Sequence, residues 1–174
     1  FRHRVLQGMK WIFGLFLLSS PLASAGNQTV RVLCWNIHHG VGMDGKLDLP
    51  RIAKVIQEAK PDLVALQEVD KNCRRSGNVD QASELARLTG LHASFGKAMD
   101  FDGGEYGQAI LCEKAPQHTK LHKLPGNGEP RIAFEAEISI NGIKLSFATA
   151  HLDLTAAAQL SQTQTLIQAF SLNT

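Results

Sequence analysis

The sequence predicts a layered α/β (α+β) fold. Two short apolar, β-branched runs flank a capped amphipathic segment, the periodicity changes to a two-residue alternation beyond position 92, and Asn141-Gly142 joins two alternating runs. Strands and helices in that succession bury their apolar sides against one another as layers.

Residues 30–35 form an apolar run ending at Asn36, and residues 63–67 form a second run ending at Glu68; both read as buried strands. Between them Asp48 caps a helix over 49–59, with Pro50 in its first turn and Ile52, Ala53, Val55 and Ile56 on one side. A second helix over 81–89 is capped by Asp80, turns Leu85 and Leu88 inward and stops at Gly90. Short strands follow at 92–97 and 107–112. In 132–140, Ile132, Phe134, Ala136, Ile138 and Ile140 share one face, and Glu135, Glu137 and Ser139 share the other. Asn141-Gly142 then turns this strand into a partner over 143–150. A last helix starts at Thr155 and runs to about Phe170, with Leu160, Leu166, Ile167 and Phe170 as its apolar positions. No repeat, linker or low-complexity stretch divides the 174 residues, a length that suits one domain.

With 44% hydrophobic and 20% charged residues, the composition excludes disorder, collagen and coiled coil. The net charge of +2 comes from the first 25 residues, which hold Arg2, Arg4 and Lys10 and no acid, and the remainder is close to neutral. A nucleic-acid partner would therefore have to be argued from a site and not from a basic field. Met9 and Lys10 open an apolar run that ends in Ala23-Ser24-Ala25, the pattern of a signal peptide cleaved after Ala25. The true start is expected at Met9, and an uncleaved N-terminal anchor is the alternative. The run is shorter than the roughly 20 residues a membrane span needs, so no stable span is expected after cleavage. The protein is expected to be exported, to the periplasm or outside the cell. Export permits disulfides, but Cys34, Cys73 and Cys112 are odd in number and lack metal-like spacing, so none is expected. Cys34 and Cys112 read as small buried residues and Cys73 as a free thiol in a polar loop.

Asn36, Glu68 and His151 each stand where a buried strand is expected to end, the usual place for a site in layered α/β proteins. A carboxylate and an amide oxygen suit a hard cation such as Mg²⁺, and a nearby His can hydrogen-bond or protonate a phosphate oxygen. His38-His39 could reach a bound phosphate or could be an exposed loop pair. Asp153 could orient His151 or cap the following helix.

The segments Cys34-Trp35-Asn36-Ile37, Leu66-Gln67-Glu68-Val69-Asp70, Tyr106-Gly107-Gln108-Ala109-Ile110-Leu111, Glu129-Pro130-Arg131 and Thr149-Ala150-His151-Leu152-Asp153 occur in that order. As an ordered set they resemble the endonuclease/exonuclease/phosphatase superfamily, the metal-dependent phosphodiesterases related to DNase I, in its exported bacterial form. The resemblance covers residues 30–174. It implies a DNase I-like four-layer α/β/β/α sandwich of two mixed sheets, with only the N-terminal part present, over residues 26–174. It also implies Glu68 as the principal ligand of Mg²⁺ or Mn²⁺ and Asn36 as a second metal or phosphate contact. Tyr106 would lie beside the scissile phosphate, Arg131 and Glu129 in the substrate-contacting loop, and His151 against the phosphoryl oxygens. A fixed Arg suits phosphate because its fork of donors is always charged.

The superfamily's later motifs, Gly-Asp-Phe-Asn and Ser-Asp-His, have no counterpart in these residues. The group that would activate water is therefore lacking, and the chain as written is expected to be a fragment of poor or no activity, with one apolar sheet face uncovered. The expected full-length protein is a Mg²⁺- or Mn²⁺-dependent hydrolase of phosphate esters. The alternatives are a non-catalytic secreted module that binds phosphate ligands, or a pseudogene fragment. The residues do not choose among lipid, nucleotide and nucleic-acid esters, and no protein partner is readable.

Overall fold

Capping side chains set the helix boundaries in the computed structural model, which describes residues 29–171. The segment expected to be a signal peptide, with its start at Met9, lies outside the described residues. The elements are β1 (Val32–Asn36), α1 (Leu49–Ala59), β2 (Leu63–Lys71), α2 (Gln81–Thr89), β3 (His92–Phe101), β4 (Gly104–Cys112), β5 (His118–Leu124), β6 (Arg131–Ile140), β7 (Ile143–Ala150) and α3 (Ala156–Ser171). The Asp48 carboxylate accepts from the backbone N–H of Arg51 at 2.9 Å, and that of Asp80 accepts from Ser83 at 3.1 Å. Each satisfies a donor that the first helical turn leaves unpaired. Gly90 ends α2 at φ +77°, where a side chain would be strained.

β1 and β2 are parallel, and β4 and β3 add antiparallel strands, giving the order β1-β2-β4-β3 in a mixed sheet. The second sheet has the order β5-β6-β7, and its described strands pair antiparallel. Three apolar layers follow from strand alternation. Val64, Leu66 and Leu111 face Ile52, Ile56 and Leu85 of α1 and α2. Leu63, Ala65 and Ile110, on the opposite face, meet Ile132, Phe134 and Phe147 of the second sheet. Ala133 and Ala150, on the far side of that sheet, receive Leu166 of α3. This is the α/β/β/α arrangement of a partial DNase I-like fold. Among the described residues no helix is long and apolar enough to cross a membrane.

The structure corrects several expectations. β2, β3 and β4 extend beyond the expected strands, because bulges at Gln67/Val69 and Lys97/Met99 carry the ladder past the polar residues. β5 was not expected: His118, Lys120 and Lys123 hide its period, yet it pairs along β6 as a charged edge strand. On α3, Leu160 and Ile167 face solvent and Leu166 is buried. Gln162 joins it there, donating to the carbonyl of Pro125 and accepting from the N–H of Asp153, both at 2.8 Å. All three cysteines are free, but Cys73 is buried, its thiol donating to the carbonyl of Phe101 at 3.2 Å. The outer face of the second sheet that α3 leaves open is polar and not apolar, since Lys120 stands opposite Glu135 and His118 opposite Glu137.

The two sheets interlock at Gly96, where a Cβ would lie 2.5 Å from Cγ of Phe134. Gly96→Ala is expected to destabilise the protein by about 1–3 kcal/mol through overpacking, read as a lowered midpoint in chemical denaturation.

Candidate functional site

The site forms where the first sheet's β1 and β2 meet the ends of β6 and β7. Gln67 projects into the space between the sheets and donates to Thr149 Oγ1 at 2.8 Å. The next residue, Glu68, is left out of the ladder: Gln67 pairs with Gln108 and Val69 with Gly107. Its φ of +56° turns the carboxylate away from the sheet. Glu68 was expected at a strand end; it stands inside β2, and the bulge does what a strand end would have done. Asn36 closes β1 and donates from Nδ2 to Glu68 Oε1 at 2.7 Å. Its Oδ1 accepts from the N–H of His38 at 2.9 Å, so one amide holds both the carboxylate and the turn that follows β1.

From the second sheet, His151 follows β7 and places Nε2 3.9 Å from Glu68 Oε1. Arg131 opens β6, and its NH1 lies 2.9 Å from His151 Nδ1 and 3.1 Å from Glu129 Oε1. A guanidinium can only donate, so Nδ1 carries the lone pair and Nε2, the nitrogen nearer Glu68, carries the proton. Burial, and then the Arg131 charge, push the His151 pKa down from 6.5 to about 4, so the ring is a neutral donor near pH 7. Arg131 is itself nine-tenths buried, and among the described residues its Nε has no hydrogen-bond partner. Tyr106, Glu129, Arg131 and His151 line one small cavity. Tyr106 is buried within it, and burial followed by the charges of Glu68 and Glu129 raises its phenol well above its usual range, so it keeps its proton. All six residues singled out in the sequence thus converge.

Asp153 belongs to the turn before α3: its Oδ1 accepts from the N–H and hydroxyl of Thr155 at 3.0 and 3.3 Å. Two further groups stand beside the site, a histidine pair that the sequence left open between a phosphate contact and an exposed loop, and an arginine it did not single out. His38 and His39 bring imidazole nitrogens within 4.8 Å of each other and of a Glu68 oxygen. Arg75 lies over the Phe101 ring at 4.3 Å and near Tyr106, held by two bonds of 2.8 and 2.7 Å to the buried Asp70. A histidine pair two residues beyond Asn36 was a visible signal; Arg75, in a polar turn, gave none. A carboxylate and two imidazoles converging on one point form a donor set that fits a divalent cation.

Because the folded His151 pKa is lowered, the unfolded chain takes up a proton first, and stability falls as pH drops from 6.5 towards about 4. In metal-free protein, thermal melts across that window should show a shallower loss for His151→Gln than for wild type. Parallel curves would contradict the assignment of a buried neutral ring.

The Endonuclease/Exonuclease/phosphatase family matches residues 33–168 of the chain. A 5'-tyrosyl-DNA phosphodiesterase from Caenorhabditis elegans is 29% identical over 153 residues, which are 79% of this chain and 38% of that protein. The structure of an endonuclease/exonuclease/phosphatase from Beutenbergia cavernae superposes with a TM-score of 0.70 at 25% identity, over 80% of this chain and 43% of the other. A family protein from Leptotrichia buccalis superposes with a TM-score of 0.62 at 18% identity, over 84% of this chain and 63% of its own. The chain therefore spans less than two thirds of the length of each of these relatives.

Proposed function

The chain belongs to the endonuclease/exonuclease/phosphatase family, and on that premise we propose that it carries the metal- and phosphate-binding part of a divalent-metal-dependent phosphoric ester hydrolase. The observation that carries the reading is the convergence of Asn36, Glu68, Arg131 and His151, remote in sequence and drawn from two sheets, into one chain of contacts of 2.7, 3.9 and 2.9 Å. Acid, neutral donor and fixed guanidinium in that order match what a phosphate ester on a cation requires.

Glu68 would hold Mg²⁺ or Mn²⁺, with Asn36 as its orienting neighbour and second oxygen donor. When bound, the cation supplies charge neutralisation at the phosphoryl oxygens as water attacks phosphorus in line. Arg131 offers its unpaired Nε–H to a phosphoryl oxygen, and Glu129 and His151 keep the guanidinium from turning away. His151, kept in one tautomer by Arg131, donates through Nε2 and does not act as an imidazolium acid near pH 7. Tyr106, protonated, donates beside them. The P–O bond to the leaving group breaks, and that group departs with a proton from solvent or from a group outside this set. The residue that would activate water is not among these side chains, so the reading concerns the full-length protein.

The substrate is a phosphodiester or phosphomonoester; the related nematode enzyme is named for a tyrosyl-DNA phosphodiester. The run from Met9 to Ala25 supports export to the periplasm or beyond.

The test uses the full-length protein with bis(p-nitrophenyl) phosphate. Hydrolysis is expected to stop in excess EDTA and return with added Mn²⁺ or Mg²⁺. Glu68→Gln, with folding confirmed by circular dichroism, should lower kcat/KM by about 100-fold or more. Retained activity in that folded variant overturns the assignment, and wild-type protein without activity on any phosphate ester favours a non-catalytic binding module.

A further inference from the structure

Between β1 and α1 the chain does something costly. His38 and His39 both adopt left-handed backbone, at φ +47° and +44°, a region non-glycine residues seldom occupy. Three contacts enforce it. Asn36 Oδ1 accepts from the N–H of His38 at 2.9 Å, Gln81 Nε2 donates to the carbonyl of His39 at 2.7 Å, and the N–H of Gly40 closes the turn on Ile37 at 2.9 Å. Gln81 is fully buried and accepts from the N–H of Asp70 at 3.0 Å, so the turn is fastened through it to β2 just beyond the Glu68 bulge. The histidine rings sit side by side, centroids 4.4 Å apart, and their nitrogens converge with a Glu68 oxygen within 4.8 Å. Three left-handed residues from two separate segments thus present their side chains to one point.

His38 is exposed and His39 half-buried, yet a loop pair without a role at the site would need none of this fastening. Backbone held against its preference, with the side chains it redirects all able to ligate a metal, is the pattern expected where local strain serves a site. The donor types decide which cation. Mg²⁺ demands oxygen donors and near-octahedral geometry, whereas imidazole suits the later first-row ions. Two imidazoles, one carboxylate and open positions form a set used for Zn²⁺ and for Fe²⁺. We propose that His38 and His39 ligate the cation held by Glu68, and that the site therefore selects a first-row transition-metal ion over Mg²⁺. This rests on the reading of Glu68 as the metal ligand, and it replaces a general Mg²⁺ or Mn²⁺ requirement with a directed choice. Asn36 then positions both parts of the site, the carboxylate through Nδ2 and the turn through Oδ1.

The experiment is a calorimetric titration of metal-free full-length protein with Zn²⁺ and with Mg²⁺, alongside visible absorption of the Co²⁺-loaded form. Wild type, the double variant His38→Asn/His39→Asn and Glu68→Gln are compared; Asn is chosen because it tolerates left-handed backbone. Wild type should bind Zn²⁺ at least about tenfold more tightly than Mg²⁺, and the double variant should lose about tenfold or more in Zn²⁺ affinity with little change for Mg²⁺. Its Co²⁺ spectrum should change as well. A folded double variant with wild-type Zn²⁺ affinity and Co²⁺ spectrum overturns the proposal, as does wild type that binds both ions equally. Glu68→Gln should weaken both ions; if it weakens neither, the underlying reading of Glu68 fails, and the two failures stay distinct. If the double variant does not fold, imidazole resonances of wild type decide: two rings shifted by Zn²⁺ and not by Mg²⁺ support the proposal, and their invariance overturns it.

Discussion

Strict alternation along β2 would set Glu68 on the side of Val64 and Leu66, inside the apolar layer under α1 and α2, where an unpaired carboxylate is prohibitively costly. The chain escapes by one inserted residue. Up to Gln67 the odd positions face the second sheet; beyond the bulge, Val69 takes the helix-facing place that Glu68 would have held. The change of parity puts the carboxylate outside the ladder and lets β2 continue to Lys71, where it needs Asp70 for Arg75. Without that bulge neither the acid nor the residues gathered around it would be in place.

The bulge is held by neighbours whose roles are otherwise structural. Gln67 ties β2 to Thr149 on β7, and Gly96 admits the Phe134 ring, so the sheets meet in one register. That register is what puts residues of the second sheet against residues of the first. Arg131 and His151 belong to β6 and the end of β7, whose pairing sets Ala133 opposite Ala150 and so brings the two side chains to the same end of the sheet.

Electrostatics then assigns the roles. The guanidinium of Arg131 occupies one nitrogen of His151, and burial, then the Arg131 charge, disfavour a second proton on the ring, leaving a single donor nitrogen on the Glu68 side. Burial keeps the Tyr106 phenol protonated. The bidentate Asp70–Arg75 pair sets a further charged group beside the Phe101 and Tyr106 rings, with its carboxylate fully buried and the turn after β2 tied back to the strand.

By itself the sequence determined what depends on neighbours a few residues apart. The starts of both capped helices, α1 and α2, were legible from Asp48, Pro50 and Asp80, and the end of α2 from Gly90, because capping is local chemistry. The hairpin at Asn141-Gly142 was legible for the same reason. The order of short motifs was enough to name Asn36, Glu68, Tyr106, Glu129, Arg131 and His151 as a set. Only the tertiary structure decided what depends on residues far apart. β5 exists because β6 gives its charged edge a partner, and Leu160 and Ile167 face solvent because Gln162 found bonds at Pro125 and Asp153. The inserted residue at Glu68 shows only in pairing with β4, the tautomer of His151 only in the reach of Arg131. That His38 and His39 turn towards Glu68 depends on Gln81, a buried amide forty-two residues beyond His39. No period in the chain can announce such contacts, since their energies come from desolvation and geometry that exist only once the layers have closed.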